Sequence, residues 1–414
     1  MKILKAYKYR LKPTGEQMTL LYRMAGCGRV VFNESLEMLL SIARKELNFA
    51  GDKKALYNEL NSLVPKDRIA LAKKFPSSAA LNKHLTQWKK QPELTFLTEA
   101  YTDNLQQRQR DLRDRAVKDW CSGKRGFPVF RTRKLAHHST LRFVNFPKYC
   151  RLEGRHAKLP NGLGFVRYYQ SQPIQGLPKS CTVTLDPCGN WHLSILCEVE
   201  IEPARTGTGA VGIDMGVAKN MTLSNGVVYK GVSSFAAHRD KLAKEQRRLS
   251  RKVRGSANWK KQKQKVARLY KRIADIRYDY QQKATTEISK THAMVAVEAL
   301  KVANMSRSAK GTVENPGKNV RQKSGLNRSI LDQGWGELRR QLEYKMAWNG
   351  GLFVAVSSHH TSQTCPACLN VSAENRTSQA SFACTHCGFE ENADVVGAIN
   401  VLNRGLAALE STGS

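Results

Sequence analysis

The alternation of apolar and polar residues changes its period several times along this chain, and each change marks a region of different predicted structure. Residues 3–12 alternate apolar and basic side chains, which is the period of a short β-strand that Pro13 ends. Thr14 then caps a helix that runs through Met24, and a second helix is predicted from Val30 through Leu40.

Helical periodicity continues through a predicted helical region at residues 14–123, with breaks at Pro65, Pro76 and Pro92. Its last helix combines an apolar stripe with basic residues around the rest of its circumference. The stripe is Tyr101, Leu105, Leu112 and Val117, and the basic residues are Arg108, Arg110, Arg113, Arg115 and Lys118. Those basic residues form either a solvated helix face or a nucleic-acid contact.

Short strand-like runs follow, separated by glycine and proline, and they predict a small β-barrel. The runs are Leu141–Phe143, Gly164–Tyr168, Thr182–Leu185 and Trp191–Leu196. Asp186–Asn190 has the composition of a hairpin turn. We expect the strand at residues 3–12 to join this barrel. The barrel then comprises residues 1–13 and 124–205, with the helical region as an insertion.

After a glycine- and proline-containing linker at residues 202–209, residues 206–360 alternate buried strands with helices, which is typical of an α/β domain. The predicted strands are Val211–Val217, Met221–Ser224, Met294–Leu300 and Leu352–Val356. An amphipathic helix is predicted from Trp335 to Met346, and residues 305–328 are predicted to be a mobile basic loop. The basic residues of that helix are predicted to face outward: Arg339, Arg340 and Lys345.

Residues 239–290 predict a long helical hairpin, broken near Gly255, with a dense basic surface. The basic residues are Arg247, Arg248, Arg251, Lys252, Arg254, Lys260, Lys261, Lys263 and Lys265. A solvated hairpin is one interpretation. Contact with a phosphate backbone is favoured, because such contacts release counterions and bind strongly.

The charge of the whole chain supports a polyanionic partner. Its 414 residues contain 68 Lys and Arg against 34 Asp and Glu, a net charge of +34, and 41% hydrophobic residues are enough for a folded protein. Nucleic acid is the expected partner. An anionic membrane is the rival, but no apolar run approaches the ~20 residues of a spanning helix. The N-terminus has no signal-peptide pattern, so we expect a cytoplasmic, nucleoid-associated protein of a prokaryote.

Four of the ten cysteines form two C-x-x-C pairs, Cys365 with Cys368 and Cys384 with Cys387. This spacing predicts a structural zinc ribbon at residues 361–390, and a redox pair is the alternative. His386, between two ligands, is expected to be exposed. The other six cysteines are expected to be buried or idle thiols: Cys27, Cys121, Cys150, Cys181, Cys188 and Cys197.

Three acids occupy core-like elements, and each has a structural alternative. Asp214 lies in a predicted buried strand, where it either holds a metal or caps a turn. Glu298 ends a second strand. Asp394 lies in the first turn of a helix, where it could cap, although Asn392 can do that instead. The last segment spans residues 391–414.

Together the three acids have one shared use. Carboxylates hold two divalent ions that cleave phosphodiesters, and Mg²⁺ or Mn²⁺ suits oxygen ligands. We therefore expect Asp214, Glu298 and Asp394 to converge on one side of an RNase H-like sheet. Gly212 and Gly216 are expected to let metal and nucleic-acid backbone approach the strand.

These motifs resemble the TnpB (OrfB) family, the transposon-encoded RNA-guided nucleases related to type V CRISPR effectors. The resemblance covers nearly the whole chain. It rests on Tyr7–Pro13, Met24–Asn33, Gly126–Phe130, Gly212–Gly216, Val297–Leu300, the four cysteines, and Asn392–Val395. One departure is Ala299, where an acidic residue is common in the family.

The resemblance implies a multidomain α/β protein. Its RNase H-like (RuvC) nuclease domain would carry the zinc ribbon, and a β-barrel wedge domain would carry a helical recognition insertion. Asp214, Glu298 and Asp394 would be the magnesium-binding catalytic residues, and the cysteines would bind zinc. The protein would be monomeric in a complex with a transposon-end guide RNA, and it would cut double-stranded target DNA beside a short adjacent motif. A nuclease-inactive guided DNA-binding repressor and a guide-independent nuclease or transposase are the alternatives.

Overall fold

The computed structural model describes residues 1–133, 139–202 and 207–411, so part of the predicted linker at 202–209 lies outside the described residues. The chain forms two compact units: Lys2–Glu200, and Met1 together with Ile201–Ser414. The predicted barrel and its helical insertion therefore belong to one unit. In the described ranges, none of the helices combines the length and the apolar character that crossing a membrane requires.

A seven-stranded antiparallel sheet forms the centre of the Lys2–Glu200 unit, in the order β2-β6-β7-β1-β5-β4-β3. The strands are β1 (Lys2–Lys12), β2 (Thr140–Phe143), β3 (Arg151–Glu153), β4 (His156–Leu159), β5 (Gly164–Tyr169), β6 (Leu177–Leu185) and β7 (Trp191–Glu200). The prediction that the first strand joins this sheet is confirmed, since β1 lies between β7 and β5. Among the described residues, the edge strands β2 and β3 do not pair with each other, so the predicted barrel is an open half-barrel.

The same unit also contains helices, several of which form a second apolar core. They are α1 (Gly15–Glu46), α2 (Lys53–Ser62), α3 (Pro65–Lys74), α4 (Ser78–Trp88), α5 (Thr102–Arg110), α6 (Val117–Cys121) and α7 (Phe146–Tyr149), with a 3-10 helix at Pro92–Glu99 and a π-helical turn at Asp111–Ala116. The predicted cap of α1 is confirmed, because Thr14 and Gln17 form a reciprocal capping box.

Two expectations for this helical region were wrong. The two helices predicted after Thr14 are one continuous helix, α1, because Gly28 provides room for a close contact instead of a break: an added Cβ there would lie 3.4 Å from the Arg108 side chain. Arg108 is also not on a solvated face. It is buried and pairs with Asp111 at 2.9 Å, while burial lowers the pKa of its guanidinium.

The Ile201–Ser414 unit contains the predicted α/β sheet, in the order β10-β9-β8-β11-β12. Its strands are β8 (Ala210–Asp214), β9 (Met221–Leu223), β10 (Val228–Tyr229), β11 (Met294–Glu298) and β12 (Leu352–Val356), and β13 (Ser381–Ala383) pairs separately with β14 (Glu390–Asn392). β8, β11 and β12 are parallel, and β9 returns antiparallel to β8. The parallel strands are nearly continuous apolar runs because helices cover them.

The helices of this unit are α8 (Ser234–Ser250), α9 (Ala257–Thr291), α10 (Val302–Met305), α11 (Val320–Gln333), α12 (Trp335–Trp348) and α13 (Ala393–Glu410). The predicted hairpin is confirmed, with α8 and α9 separated near Gly255. The predicted loop at 305–328 was too long, because α11 begins at Val320 and docks into the sheet core through Ile330.

Lys345 was predicted to face outward from α12, and this was wrong. Its Nζ donates to the Gln282 carbonyl at 2.9 Å and to the hydroxyls of Thr285 and Thr286 at 2.7 and 2.8 Å. Burial lowers the pKa of this lysine to about 8. Arg340 does face outward as predicted.

Candidate metal centres

Asp214 and Glu298 end two neighbouring parallel strands of the sheet. The register pairs Ile213 of β8 with Val297 of β11, and the next residues are Asp214 and Glu298. Neighbouring residues at the same level of a parallel pair point to the same side, about 4.8 Å apart along the sheet. The two carboxylates therefore meet at the carboxyl edge of the sheet.

Helix α13 brings Asp394 to the same edge. A Cβ added at Gly397 of α13 would lie 3.3 Å from the Asp214 carboxylate carbon, so this helix lies directly against Asp214. A Cβ added at Gly212 would collide with the Ala398 carbonyl. Gly212 therefore makes room for α13, and our expectation that it admits metal or nucleic acid was wrong.

Gly216 has a different local role from the one expected. A Cβ added there would lie 2.9 Å from the Lys219 carbonyl oxygen, inside the turn that joins β8 to β9. The glycine thus permits a tight turn. Because that turn starts one residue after Asp214, it sets where the Lys219 side chain can reach.

Negative charge is crowded at this edge. Burial, and then the carboxylates of Glu298 and Asp394, raise the pKa of Asp214 to about 7, while Arg376 and Lys219 oppose that rise. Glu298 is only 6% exposed, and burial raises its pKa. A buried Asp214 with two further carboxylates beside it is suited to binding a cation.

Two cations near these acids were not predicted. The Lys219 Nζ lies 3.0 Å from an Asp394 carboxylate oxygen and 3.4 Å from the Asn392 side-chain oxygen. The positive charge of Arg376, in the cysteine-containing segment, opposes the rise in the pKa of Asp214. No local pattern distinguishes these two from the other basic residues, so sequence reasoning had no signal for them.

Asn392 is the cap of α13, as predicted, because its side-chain oxygen accepts a hydrogen bond from the Asp394 backbone N–H at 3.1 Å. The Asp394 side chain is therefore free of the capping role. Its carboxylate is available to Lys219 or to a metal ion.

Polar contacts from α13 also fix the loop that follows β12. The buried Asn400 donates to the carbonyls of Thr361 and Thr364 at 2.8 and 2.7 Å. The Thr361 hydroxyl in turn donates to Glu298 at 2.6 Å, which orients that carboxylate. One loop therefore connects the acids to the start of the cysteine segment.

The four predicted zinc ligands are brought together. Cys365 and Cys387 have their Sγ atoms 3.6 Å apart, as do Cys368 and Cys384, and all four sulfur atoms lie within 4.8 Å of one another. A tetrahedral zinc with Zn–S bonds of about 2.3 Å has sulfur–sulfur edges of about 3.8 Å, so this donor set fits zinc.

The ribbon around the cysteines is organised by a buried asparagine. The Asn375 side chain donates to the Gln363 carbonyl at 3.0 Å and accepts from the Thr385 backbone N–H at 3.0 Å, which ties the two C-x-x-C segments together. His386 is exposed, as predicted. Of the other six cysteines, Cys121 is partly buried and the remaining five are buried, as expected.

The two candidate centres differ in how closely their ligands approach. Within the described ranges, the four cysteines are the only group of three or more His, Cys, Asp or Glu side chains whose ligand atoms are close enough together to hold a metal ion. The three carboxylates share an edge but not so tight a cluster. Their oxygen atoms are the type of donor that suits Mg²⁺ or Mn²⁺.

Comparison with known proteins adds relatives that match almost the whole chain. The protein named "Putative RNA-guided DNA endonuclease InsQ" from Escherichia coli K12 is 43% identical over 413 residues, which covers 99% of this chain and 94% of that protein. A "Putative RNA-guided DNA endonuclease" from Streptomyces pristinaespiralis is 34% identical over 405 residues, covering 98% of this chain and 90% of that protein.

Three family models match parts of the chain. The IS605 OrfB model, described as "Probable transposase", matches residues 194–309. The model described as "Cas12f1-like, TNB domain" matches residues 335–401, and an OrfB model described as "Helix-turn-helix domain" matches residues 1–42. In the structure, that last segment forms β1 and one uninterrupted helix, so it does not contain a helix-turn-helix.

A solved structure shares the overall fold. The chain aligns with the protein in the "Cryo-EM structure of the Cas12f1-sgRNA-target DNA complex" with a TM-score of 0.53, covering 97% of this chain and 99% of that one. Only 14% of the aligned residues are identical, so this similarity concerns the fold alone.

Proposed function

This chain belongs to the IS605 OrfB family, and on that premise we propose that it is an RNA-guided DNA endonuclease. It binds a guide RNA derived from a transposon end and hydrolyses phosphodiesters of double-stranded target DNA next to a short adjacent motif. The observation that carries this proposal is the convergence of Asp214, Glu298 and Asp394 at one edge of the α/β sheet.

The sheet supports an RNase H-like (RuvC) assignment. An antiparallel β9 followed by parallel β8, β11 and β12, with acids at the ends of β8 and β11, is the arrangement expected of such a nuclease. Divalent ions bound there, Mg²⁺ or Mn²⁺, would activate a water and stabilise the leaving oxygen. Asp214, Glu298 and Asp394 would hold those ions, and Thr361 orients Glu298.

Lys219 and Arg376 contribute positive charge beside the acids. In the chain as described, the Lys219 ammonium partly neutralises Asp394 at 3.0 Å. The charge of Arg376, in the ribbon, opposes the rise in the pKa of Asp214, so the ribbon contributes positive charge beside the acids. The zinc itself is structural, because all four of its ligand positions are occupied by cysteine.

Nucleic-acid binding is distributed over basic surfaces. The net charge of +34 and the exposed basic residues of the α8–α9 hairpin supply phosphate contacts. By analogy with guided nucleases, base pairing reads the target sequence, while the protein reads shape and the adjacent motif. The half-barrel corresponds to a wedge domain and its helical insertion to a recognition domain, in a complex with one protein chain.

The test is to purify the protein with its bound RNA, sequence that RNA, and add matching target DNA with Mg²⁺. A discrete transcript with a variable end, and cleavage only of DNA that matches that end, are expected. Binding without cleavage would indicate a guided DNA-binding repressor. Equal and equally specific cleavage by RNA-free protein would indicate a guide-independent nuclease or transposase, consistent with the description of the matching family model.

A further inference from the structure

The seven-stranded sheet has one buried and one exposed face at the strands β3, β4, β5 and β1. Side chains alternate along each strand, so Tyr7, Tyr9 and Leu11 of β1 are buried and their neighbours point to solvent. The same alternation buries Val166 and Tyr168 of β5. The exposed side of these four strands is thus a continuous surface, which we call the outer face.

An exposed aromatic ring lies near two cations on the outer face. Arg151, Lys158 and Phe165 lie opposite one another across β3, β4 and β5. Phe165 is 40% exposed, with the Arg151 guanidinium 5.5 Å and the Lys158 ammonium 5.9 Å from its ring centroid. A phenylalanine in this position contributes little to the core, because its ring points away from it.

The rest of the outer face also carries exposed basic and aromatic side chains. Arg167 lies opposite Lys12, and Tyr169, 51% exposed, lies opposite Arg10. Tyr169 is four residues along the strand from Phe165, a distance of roughly 13 Å. The cations of the outer face are Lys2, Lys8, Arg10, Lys12, Arg151, Lys158 and Arg167, against the single acid Glu153, a balance of seven to one, and Glu153 pairs with Arg151 at 2.7 Å.

Hydrogen bonds from Gln17 hold the backbone at Phe165. The Gln17 side-chain nitrogen donates to the carbonyls of Leu163 and Phe165 at 2.9 and 3.0 Å. Gln17 also belongs to the capping box of α1, so the start of β5 is anchored to that helix. The ring is therefore presented on a rigid strand.

We propose that the outer face is a stacking platform for unpaired bases of single-stranded RNA. Phe165 stacks on a base, Tyr169 is positioned for a second, and Arg151, Lys158 and Arg167 contact the phosphates between them. An exposed aromatic surrounded by cations binds single strands, because unpaired bases offer a free π-face that a duplex does not. The choice of RNA rests on the proposed function, in which a guide RNA is the resident partner.

The test uses the full-length protein, freed of RNA and without added Mg²⁺, and measures fluorescence anisotropy of labelled ten-nucleotide oligouridine. Phe165→Leu should weaken binding by about 5- to 100-fold, because leucine keeps apolar bulk but has no π-face. Phe165→Trp should retain binding. Phe96→Leu, at a phenylalanine with the same 40% exposure on the 3-10 helix, is the matched control and should bind as the original protein does.

A second probe set identifies the kind of nucleic acid. Binding of an RNA duplex should change by less than about twofold in Phe165→Leu. The double variant Arg151→Gln with Lys158→Gln should reduce the slope of log binding constant against log salt concentration, for oligouridine, by about 1.4. Equal losses in Phe165→Leu and Phe96→Leu, or equal losses for single strand and duplex, would overturn the stacking platform. Tighter binding of oligothymidine than of oligouridine would overturn the assignment to RNA. None of these measurements depends on cleavage, so a failure of the nuclease proposal is recognised separately.

Discussion

The cysteine cluster and the carboxylate cluster of the second unit are both candidate metal centres, yet the chain builds them in opposite ways. The four cysteines come from two short C-x-x-C turns within 23 residues of sequence, and their sulfur atoms already lie within 4.8 Å of one another. The three carboxylates come from two strands and a helix that span residues 214 to 394. They meet only because β8, β11 and α13 pack together.

The difference teaches what each metal does for the protein. The ribbon has little apolar core, in which Phe382 packs with Val396 of α13, so a bound zinc ion would supply much of its stability. The carboxylates belong to a sheet with a large core, and burial, followed by the negative charges of Glu298 and Asp394, raises the pKa of Asp214. A metal ion at the cysteines would stabilise the ribbon around it, whereas the carboxylates are held in place by the core of the sheet.

The largest expected effect is on cleavage, and it is confined to the carboxylate centre. Asp214→Asn, Glu298→Gln and Asp394→Asn should each slow target cleavage by roughly 10³-fold, because each removes a charged metal ligand worth several kcal/mol at the transition state. Single-turnover cleavage assays measure this. Guide-RNA binding and zinc content should be unchanged.

Asp240→Asn is the control, since the Asp240 side chain is 92% exposed. It should cut like the original protein. A variant among the three acids that still cuts at the original rate would be removed from the proposed centre.

The next largest effect is on metal retention in the ribbon. Cys365→Ser should weaken zinc binding by at least about 100-fold, because serine is a poor ligand and even the loss of an indirect contact costs 10–100-fold. Zinc content by mass spectrometry, together with soluble yield, measures this effect. Cys121→Ser, at a partly buried thiol of the other unit, should keep all of its zinc. Full zinc retention by Cys365→Ser would mean that the cysteines do not hold zinc.

A pH-dependent effect on stability should separate the two centres further. The pKa of Asp214 is raised from 3.8 to about 7 by folding, so between these values the folded state binds more protons, and stability falls as pH rises. The shift corresponds to at most about 4 kcal/mol, and we expect about half because the carboxylate is partly solvated.

Asp214→Asn should therefore be more stable than the original protein by about 2 kcal/mol at pH 8, and by little at pH 4. Urea unfolding of zinc-loaded protein without Mg²⁺ measures this difference. Added Mg²⁺ should stabilise the original protein and not the variant. A stability difference between the two proteins that does not change with pH would contradict the raised pKa of Asp214.

The smallest predicted effect tests whether the two centres are connected. Asn400→Ala leaves the carbonyls of Thr361 and Thr364 without their donor, which should cost about 1–2 kcal/mol and slow cleavage, since Thr361 orients Glu298. Urea unfolding and cleavage assays measure the two effects, and zinc content should stay unchanged. Asn403→Ala, exposed on the same helix, is the control. Loss of zinc from Asn400→Ala would show that the ribbon depends on this loop.

Local signals in the sequence were interpreted most successfully where neighbouring residues are sufficient. The capping box of Thr14, the cap at Asn392, the hairpin of α8 and α9 and the strands β8 and β11 follow from short-range hydrogen bonding and periodicity. Glycines were interpreted less well. Gly28 and Gly212 serve close packing against Arg108 and α13, and no local pattern shows what lies opposite a glycine.

Charged residues show the same limit. Lys345 was predicted to face outward, and Arg108 was predicted to lie on a solvated face or to contact nucleic acid. Instead, the Lys345 ammonium donates to a carbonyl and two hydroxyls of α9, and the buried Arg108 pairs with Asp111. The partners of Lys345 are distant in the sequence. The partner of Arg108 is only three residues away, but the pair is buried. Periodicity distinguishes apolar from polar positions, and it cannot distinguish a solvated cation from a satisfied buried one.

By itself, then, the sequence determined the zinc ribbon, the strand–acid units, the basic character and the family, because these depend on spacing and residue type. Only the tertiary structure decided that the barrel stays open, that α13 lies on β8 beside Asp214, and that Lys219 pairs with Asp394. The physical reason is that spacing along the chain fixes contacts within a turn or a knuckle. Contacts between distant segments depend on which surfaces pack together, and that packing is set by the whole core.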